Sequence, residues 1–119
     1  MQEGCTVYKT AQYLNKKWTL LIILELYKGN GYQRRFSELK DSLSGITPKI
    51  LSERLKELEK EGLVKKDIDS SSFPVRSEYT LTECGIEMVD IIRIMKHWAL
   101  KWKIENIACG EQDCKNCVL

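Results

Sequence analysis

No apolar run in this chain approaches ~20 residues, so nothing in it predicts a membrane-spanning helix. The first ten residues, MQEGCTVYKT, lack the apolar segment of a signal peptide, and the expectation is a cytoplasmic protein with no membrane partner. There is no Gly-rich phosphate loop, no catalytic triad and no carboxylate pair, so an enzyme is not expected. The single histidine, His97, stands between Lys96 and Trp98 and reads as a surface or interface residue, not a ligand. Proline and glycine are scarce, with two and seven in 119 residues, and the apolar and charged content is that of one globular domain with a modest core. Strong charge of one sign is also missing. The net charge is +2, so any nucleic-acid site must be a local patch and not the protein as a whole.

Cysteine is the exception to this sparseness. Five cysteines are many for a cytosolic chain of this size, and an odd number argues against a closed framework of disulfides within one subunit. In a reducing compartment such cysteines bind metal, sense oxidants or merely pack.

The clearest local signal is the stretch ITPKILSERLKELEKEGLV, residues 46–64. Thr47 is an N-cap residue, Pro48 occupies the first helical position where its missing N–H is harmless, and Gly62 supplies a left-handed stop. Leu51, Leu55 and Leu58 make a buried stripe. Lys49, Glu53, Lys56 and Lys60, with Ser52 beside them, make a polar and mostly basic face. Alone, this describes any amphipathic surface helix. Its neighbours say more. Phe36, Leu39 and Leu43 share one face of a short helix, and Ser44-Gly45-Ile46 joins the two helices tightly, as in a helix-turn-helix. Strands are predicted at 63–68 and 75–81, with Val75, Tyr79 and Leu81 on one face of the second. The polar tip 69–74 lies between them, and helix-turn-helix followed by a β-hairpin is the order of a winged helix.

Upstream, 6–14 predicts a short helix. Asn15 is placed to cap a second helix over 16–28, apolar almost all round and therefore the central rod of the core. A short strand is expected at 32–35. Downstream, Thr82 caps a long helix over 83–107, about 37 Å at 1.5 Å per residue. Met88, Ile91, Met95, Trp98 and Trp102 form its apolar stripe, widened by Val89, Ile92 and Ala99. A domain of this size cannot cover all of that, so the stripe is read as the interface of a homodimer. The expected fold is mainly α (α+β): a winged helix-turn-helix with a long C-terminal dimerisation helix. Residues 1–108 would be the DNA-binding and dimerisation domain and 109–119 a Cys-rich tail.

The early Cys5, the KWTLLIILELYKG of the second helix, RRFSELKDSLSGITPKILSERLKELEKEGLV, the wing with Pro74, EYTLTECG and the late Trp98 together resemble the HxlR-type winged-helix transcriptional regulators. The resemblance runs from about residue 5 to 102, in order and without large gaps, and leaves the tail outside. It implies a cytoplasmic homodimer on pseudo-palindromic duplex DNA and, in the redox-responsive branch, a sensing cysteine where Cys5 stands.

On that basis Thr47, Lys49, Ser52, Glu53 and Lys56 are the expected base-facing residues. Lys49 suits guanine O6 or N7 and Glu53 a cytosine amino group. Arg34 and Arg35 are expected on phosphates, with Arg35 equally able to pair with Glu38. Ser71, Ser72 and Arg76 would approach the adjacent backbone from the wing. Arg54, beside the leucine stripe, is expected to be structural or phosphate-facing.

The tail reads Cys109-x4-Cys114-x2-Cys117. Three readings stay open: a thiol–disulfide switch between Cys5 and Cys109, Cys114 or Cys117; a zinc or iron–sulfur site on the same four residues; or inert thiols. The fold itself requires no cofactor. Cys84, near the start of the long helix, is expected to pack beside the wing strands. Two other functions compete: a winged-helix protein-interaction module without DNA contact, and a thiol oxidoreductase, for which no strand–helix unit holds the Cys-x2-Cys.

Overall fold

The computed structural model describes residues 4–71 and 73–117. Its elements are α1 (Thr6–Leu14), α2 (Thr19–Lys28), a 3-10 turn (Asn30–Tyr32), β1 (Gln33–Arg35), α3 (Phe36–Ser42), α4 (Pro48–Lys60), β2 (Val64–Asp69), β3 (Arg76–Leu81), α5 (Glu83–Trp102) and α6 (Ile107–Glu111). The three strands form an antiparallel sheet in the order β1-β3-β2, with Arg35 opposite Glu78 and Val64 opposite Leu81. This is the winged helix-turn-helix that the sequence predicts, with a long C-terminal helix.

The core is built from the expected stripes. Leu51, Leu55 and Leu58 of α4 meet Ile22, Ile23 and Leu26 of α2, Leu39 of α3 and Val89 and Ile92 of α5. α4 starts and stops as its sequence dictates. Thr47 Oγ1 accepts the Ile50 N–H at 3.2 Å. At the other end Gly62 adopts φ 84°, and the Leu63 N–H reaches back to Leu58 O at 2.9 Å, closing a Schellman turn. Thr82 then clamps this end to α5. Its hydroxyl donates to Gly62 O at 2.6 Å and accepts the Gly85 N–H at 3.2 Å. Gly85 must be glycine, since a Cβ there would lie 2.3 Å from Leu63 O.

Several expectations are corrected. α2 begins at Thr19 and not at residue 16: Asn15 ends α1 instead of capping α2, and Trp18 turns the corner with φ 82°. A corner is needed so that both helices can pack on one core, and Trp18 packs against that core as it turns. α2 is not covered on every side, for Leu21 is 49% exposed. The long helix stops at Trp102, because the Lys103 and Ile104 N–H groups both close on Ala99 O. Asn106 caps the separate α6 by accepting the Cys109 N–H at 3.1 Å. Val89 and Ile92 do not widen the outer stripe of α5 but face the core, and Met88 packs against the core too. Cys84 is exposed rather than packed beside the strands.

Candidate nucleic-acid interface and a cysteine-lined cleft

The turn between α3 and α4 is tight, with Gly45 at φ 93°, and it holds the start of α4 out from the body. Thr47, Lys49, Glu53 and Lys56 are exposed there, and Ser52 is half-buried. Among the described residues none of these side chains forms an ion pair, whereas other charges on α4 are engaged. Glu57 bonds Lys16 at 2.5 Å, and Arg54 Nε donates to Lys17 O at 3.3 Å, tying α4 to the corner before α2. Arg54 is thus structural.

The two expected phosphate-binding arginines differ. Arg34 is half-buried and donates from Nε to Glu25 O at 3.3 Å, with Nη1 3.8 Å from Glu38. Arg35 is exposed. Its N–H donates to Glu38 Oε1 at 2.9 Å, while its Nε lies 3.9 Å from Glu78 Oε1. The side-chain partner of Arg35 is therefore Glu78, its cross-strand neighbour, and not Glu38. In the wing Ser71 and Arg76 are exposed, and Ser72 lies outside the described residues. The Ser71 N–H donates to Asp69 Oδ1 at 3.1 Å. Burial, then the nearby Glu59 carboxylate, raise the Tyr79 phenol above its usual pKa, so it stays neutral beside the wing.

The far side of the molecule carries the second feature. Along α5, Ile91, Ile94, Met95, Trp98 and Trp102 recur at helical spacing and are 48 to 68% exposed. Ile94 belongs to this set, although the sequence reading passed over it; its spacing of three from Ile91 was the available signal.

After α6 the tail folds back over a cleft of about 610 Å³ between α2 and α5. Cys109, Cys114 and Cys117 all line this cleft, together with Trp18, Leu21 and Met95; Cys5, at the start of α1, does not. No disulfide joins the cysteines among the described residues. Nor is any group of three His, Cys, Asp or Glu there arranged to hold a metal ion.

Lys115 pins the tail. Its ammonium donates to Gly29 O at 2.8 Å and to Tyr27 O, the open carbonyls at the end of α2, and sits 4.9 Å from the Tyr32 ring centre. Tyr27 and Tyr32 stack with centres 5.5 Å apart. Lys96 adds a bond to Gln112 O at 2.7 Å. The turn around Lys115 is held by Asp113, which accepts the Asn116 N–H at 2.9 Å. That bond leads the causes that hold the Asp113 carboxyl below its usual pKa.

Comparison with known proteins agrees with this geometry. Residues 13–106 match the family model described as HxlR-like helix-turn-helix. The chain is 42% identical over 94 residues to YvaP of Bacillus subtilis, an HTH-type transcriptional regulator, covering 79% of this chain and 83% of that one. It superposes on the reduced form of the B. subtilis transcriptional regulator YodB with a TM-score of 0.73 and 34% identity, over 89% of this chain and 99% of that one. With the oxidised form of the redox regulator HypR the TM-score is 0.71 and the identity 29%, over 84% and 99% of the two chains. The matched stretch ends before the tail and begins after Cys5, so Cys84 is the one cysteine within it. The chain belongs to the HxlR-like helix-turn-helix family and is a transcriptional regulator, not an enzyme.

Proposed function

We propose that the protein works as a homodimer on a pseudo-palindromic duplex operator, with α4 of each subunit in a major groove. The observation that carries this reading is the pairing of two unfinished surfaces: the exposed polar start of α4 and the bare apolar stripe of α5. Monomers rarely leave two tryptophans and three aliphatic side chains exposed on one face. Packing α5 against a second α5 covers them and sets two copies of α4 at a fixed separation, which the duplex requires to be about 34 Å or a multiple of it. Thr47, Lys49, Ser52, Glu53 and Lys56 face base edges, while Arg35, Ser71 and Arg76 follow the backbone. Arg34 contributes less to phosphates, because it is tied to Glu25 and Glu38.

The cysteines make binding respond to redox state or to thiol-reactive species. The likeness to YodB and HypR supports this, as does the half-buried state of Cys5, Cys109, Cys114 and Cys117. A disulfide from Cys5 of one subunit to a tail cysteine of the other would tilt one α4 against its partner and spoil the half-site spacing.

A second reading has zinc or an iron–sulfur cluster on Cys109, Cys114 and Cys117, with Cys5 as fourth ligand. The convergence of the three tail cysteines on one cleft favours it. The absence of Cys5 from that cleft weighs against a four-ligand site within one subunit.

One preparation, purified anaerobically, tests all of this. Light scattering gives the mass, and duplexes selected from a random pool give the affinity as salt is raised. Metal, sulfide and free-thiol content separate the two sensing readings. A dimer whose duplex affinity falls steeply with salt is expected, with an intersubunit disulfide on oxidation that Cys5→Ser abolishes. A monomer that selects no duplex would sink the proposal and leave a protein-interaction module.

A further inference from the structure

Phe73, at the tip of the wing, is 100% exposed, and its neighbours Ile68 and Val75 are 61% and 58% exposed. Among the described residues no element covers this ridge. From Asp69 to Val75 there is no lysine or arginine, so the tip has no cation with which to grip phosphate or probe a narrow groove. What it offers is an aromatic ring. Immediately beside it runs a groove of about 490 Å³ lined by Arg35, Ser37, Pro74, Val75, Arg76 and Ser77. Two guanidiniums and two hydroxyls there form a track suited to a phosphodiester backbone, with Glu78 at 3.9 Å from the Arg35 side chain as a competing carboxylate. The track leads to Pro74, and Phe73 is the next residue beyond it.

We propose that Phe73 is an apolar wedge that enters the minor groove flanking each half-site while the backbone lies in the Arg35–Arg76 track. This rests on the DNA-binding reading above and adds a second source of specificity to it. An apolar side chain pressed between base pairs partly unstacks one step and bends the duplex toward its major groove. The deformation is easiest at pyrimidine–purine steps, so the protein would prefer such steps at a position where it makes no hydrogen bond to a base. The ring takes part through contact with bases and forms no ion pair. Its loss therefore weakens binding without releasing fewer counterions, which separates it from every Lys or Arg contact.

The experiment uses the full-length protein and a duplex selected by it from a random pool. Affinity is measured across a salt series, bending by fluorescence energy transfer between the duplex ends, and unstacking by 2-aminopurine at the flanking step. Phe73→Ala should lose about tenfold in affinity, with the slope of log affinity against log salt unchanged, the bend reduced and the flanking preference erased. Phe73→Leu should keep most of the bend. Arg76→Ala should instead lower the salt slope by about one. Phe73 contacts no core residue, so both its variants should melt as wild type does. A Phe73→Ala protein that binds and bends the selected duplex like wild type overturns the wedge and leaves the DNA reading standing. A wild-type protein that selects no duplex overturns both. A Phe73→Ala protein that loses its dimeric mass would make the tip a contact between subunits and overturn the wedge as well.

Discussion

Helices α4 and α5 both carry an apolar stripe at helical spacing, yet the two end differently. On α4 the stripe Leu51, Leu55 and Leu58 is sealed inside the chain's own core, and what remains outside is charge. On α5 the core takes Gly85, Val89 and Ile92, and a second stripe from Ile91 to Trp102 is left bare. Helix α4 is complete within one chain. The long helix leaves its second stripe uncovered. The contrast teaches that amphipathic spacing identifies a buried face but does not say whose core buries it. That depends on how much apolar surface the rest of the chain can cover, and the described residues leave this second stripe exposed.

The comparison can be broken most violently at α4. Leu55→Ala empties a site in the centre of the core and should cost about 2–5 kcal/mol of folding stability, seen as a large fall in the urea midpoint. Gly85→Ala strikes the joint between the two helices, where the new methyl meets the Leu63 carbonyl; overpacking of this kind costs about 1–3 kcal/mol. On α5 the outcome should be of another kind. Trp98→Glu removes nothing from the core of one subunit, so the monomer should keep its fold by circular dichroism. The dissociation constant of the proposed dimer should rise by about 30-fold or more, the loss of about 2 kcal/mol that a tryptophan at the centre of an interface carries. Should Trp98→Glu leave the dimer intact and instead lower the unfolding midpoint as Leu55→Ala does, the two stripes would be alike and the contrast would fail. A smaller effect should come from the polar side of α4. Lys49→Ala should weaken the selected duplex by about 1–3 kcal/mol and relax specificity at one position, with the fold untouched.

Much of this was legible in the residues, and the places where it was not are instructive. α4 was readable because cap, first-turn proline, stripe and terminal glycine all agree, and each acts within a few residues of itself. The wing was readable for the same reason. The start of α2 was not: nothing local marks Trp18 as the corner, and its left-handed backbone holds because tertiary packing fixes its ring. The end of α5 was missed because apolar spacing continues through Ile104 and Ile107, while the helix yields to a tail whose anchors lie far back in the chain at Gly29 and Tyr27. Periodicity cannot register a lysine that caps a helix 86 residues upstream. The candidate base-facing residues of α4 and the cysteines could be named by type and spacing, but their surroundings could not. That Arg34 is tied inward while Arg35 is exposed, and that the three tail cysteines share a cleft without Cys5, depend on contacts between distant segments.

The smallest expected effect separates the tail from the helices it covers. Asp113 is ionised at neutral pH and accepts the Asn116 N–H, which holds the turn that presents Lys115 to the end of α2. Its carboxyl is held below the ordinary carboxylate range by that bond first. A group with a lowered pKa in the folded state stabilises it fully above the unfolded value, and the contribution disappears as pH falls through the folded one. Between neutrality and the ordinary aspartate value of about 4 the tail should therefore stay docked. Below it, protonation should open the turn before the core carrying Leu55 gives way. The Asn116 amide resonance, followed through an acid titration, should move with a midpoint below that of an unstructured aspartate, while the Leu55 amide stays put. Asp113→Asn should abolish that transition, and Lys115→Ala should speed alkylation of Cys114 at neutral pH. A midpoint at the ordinary aspartate value, or a Leu55 amide that shifts together with Asn116, would mean that the tail is no separate latch and unfolds only with the body beneath it.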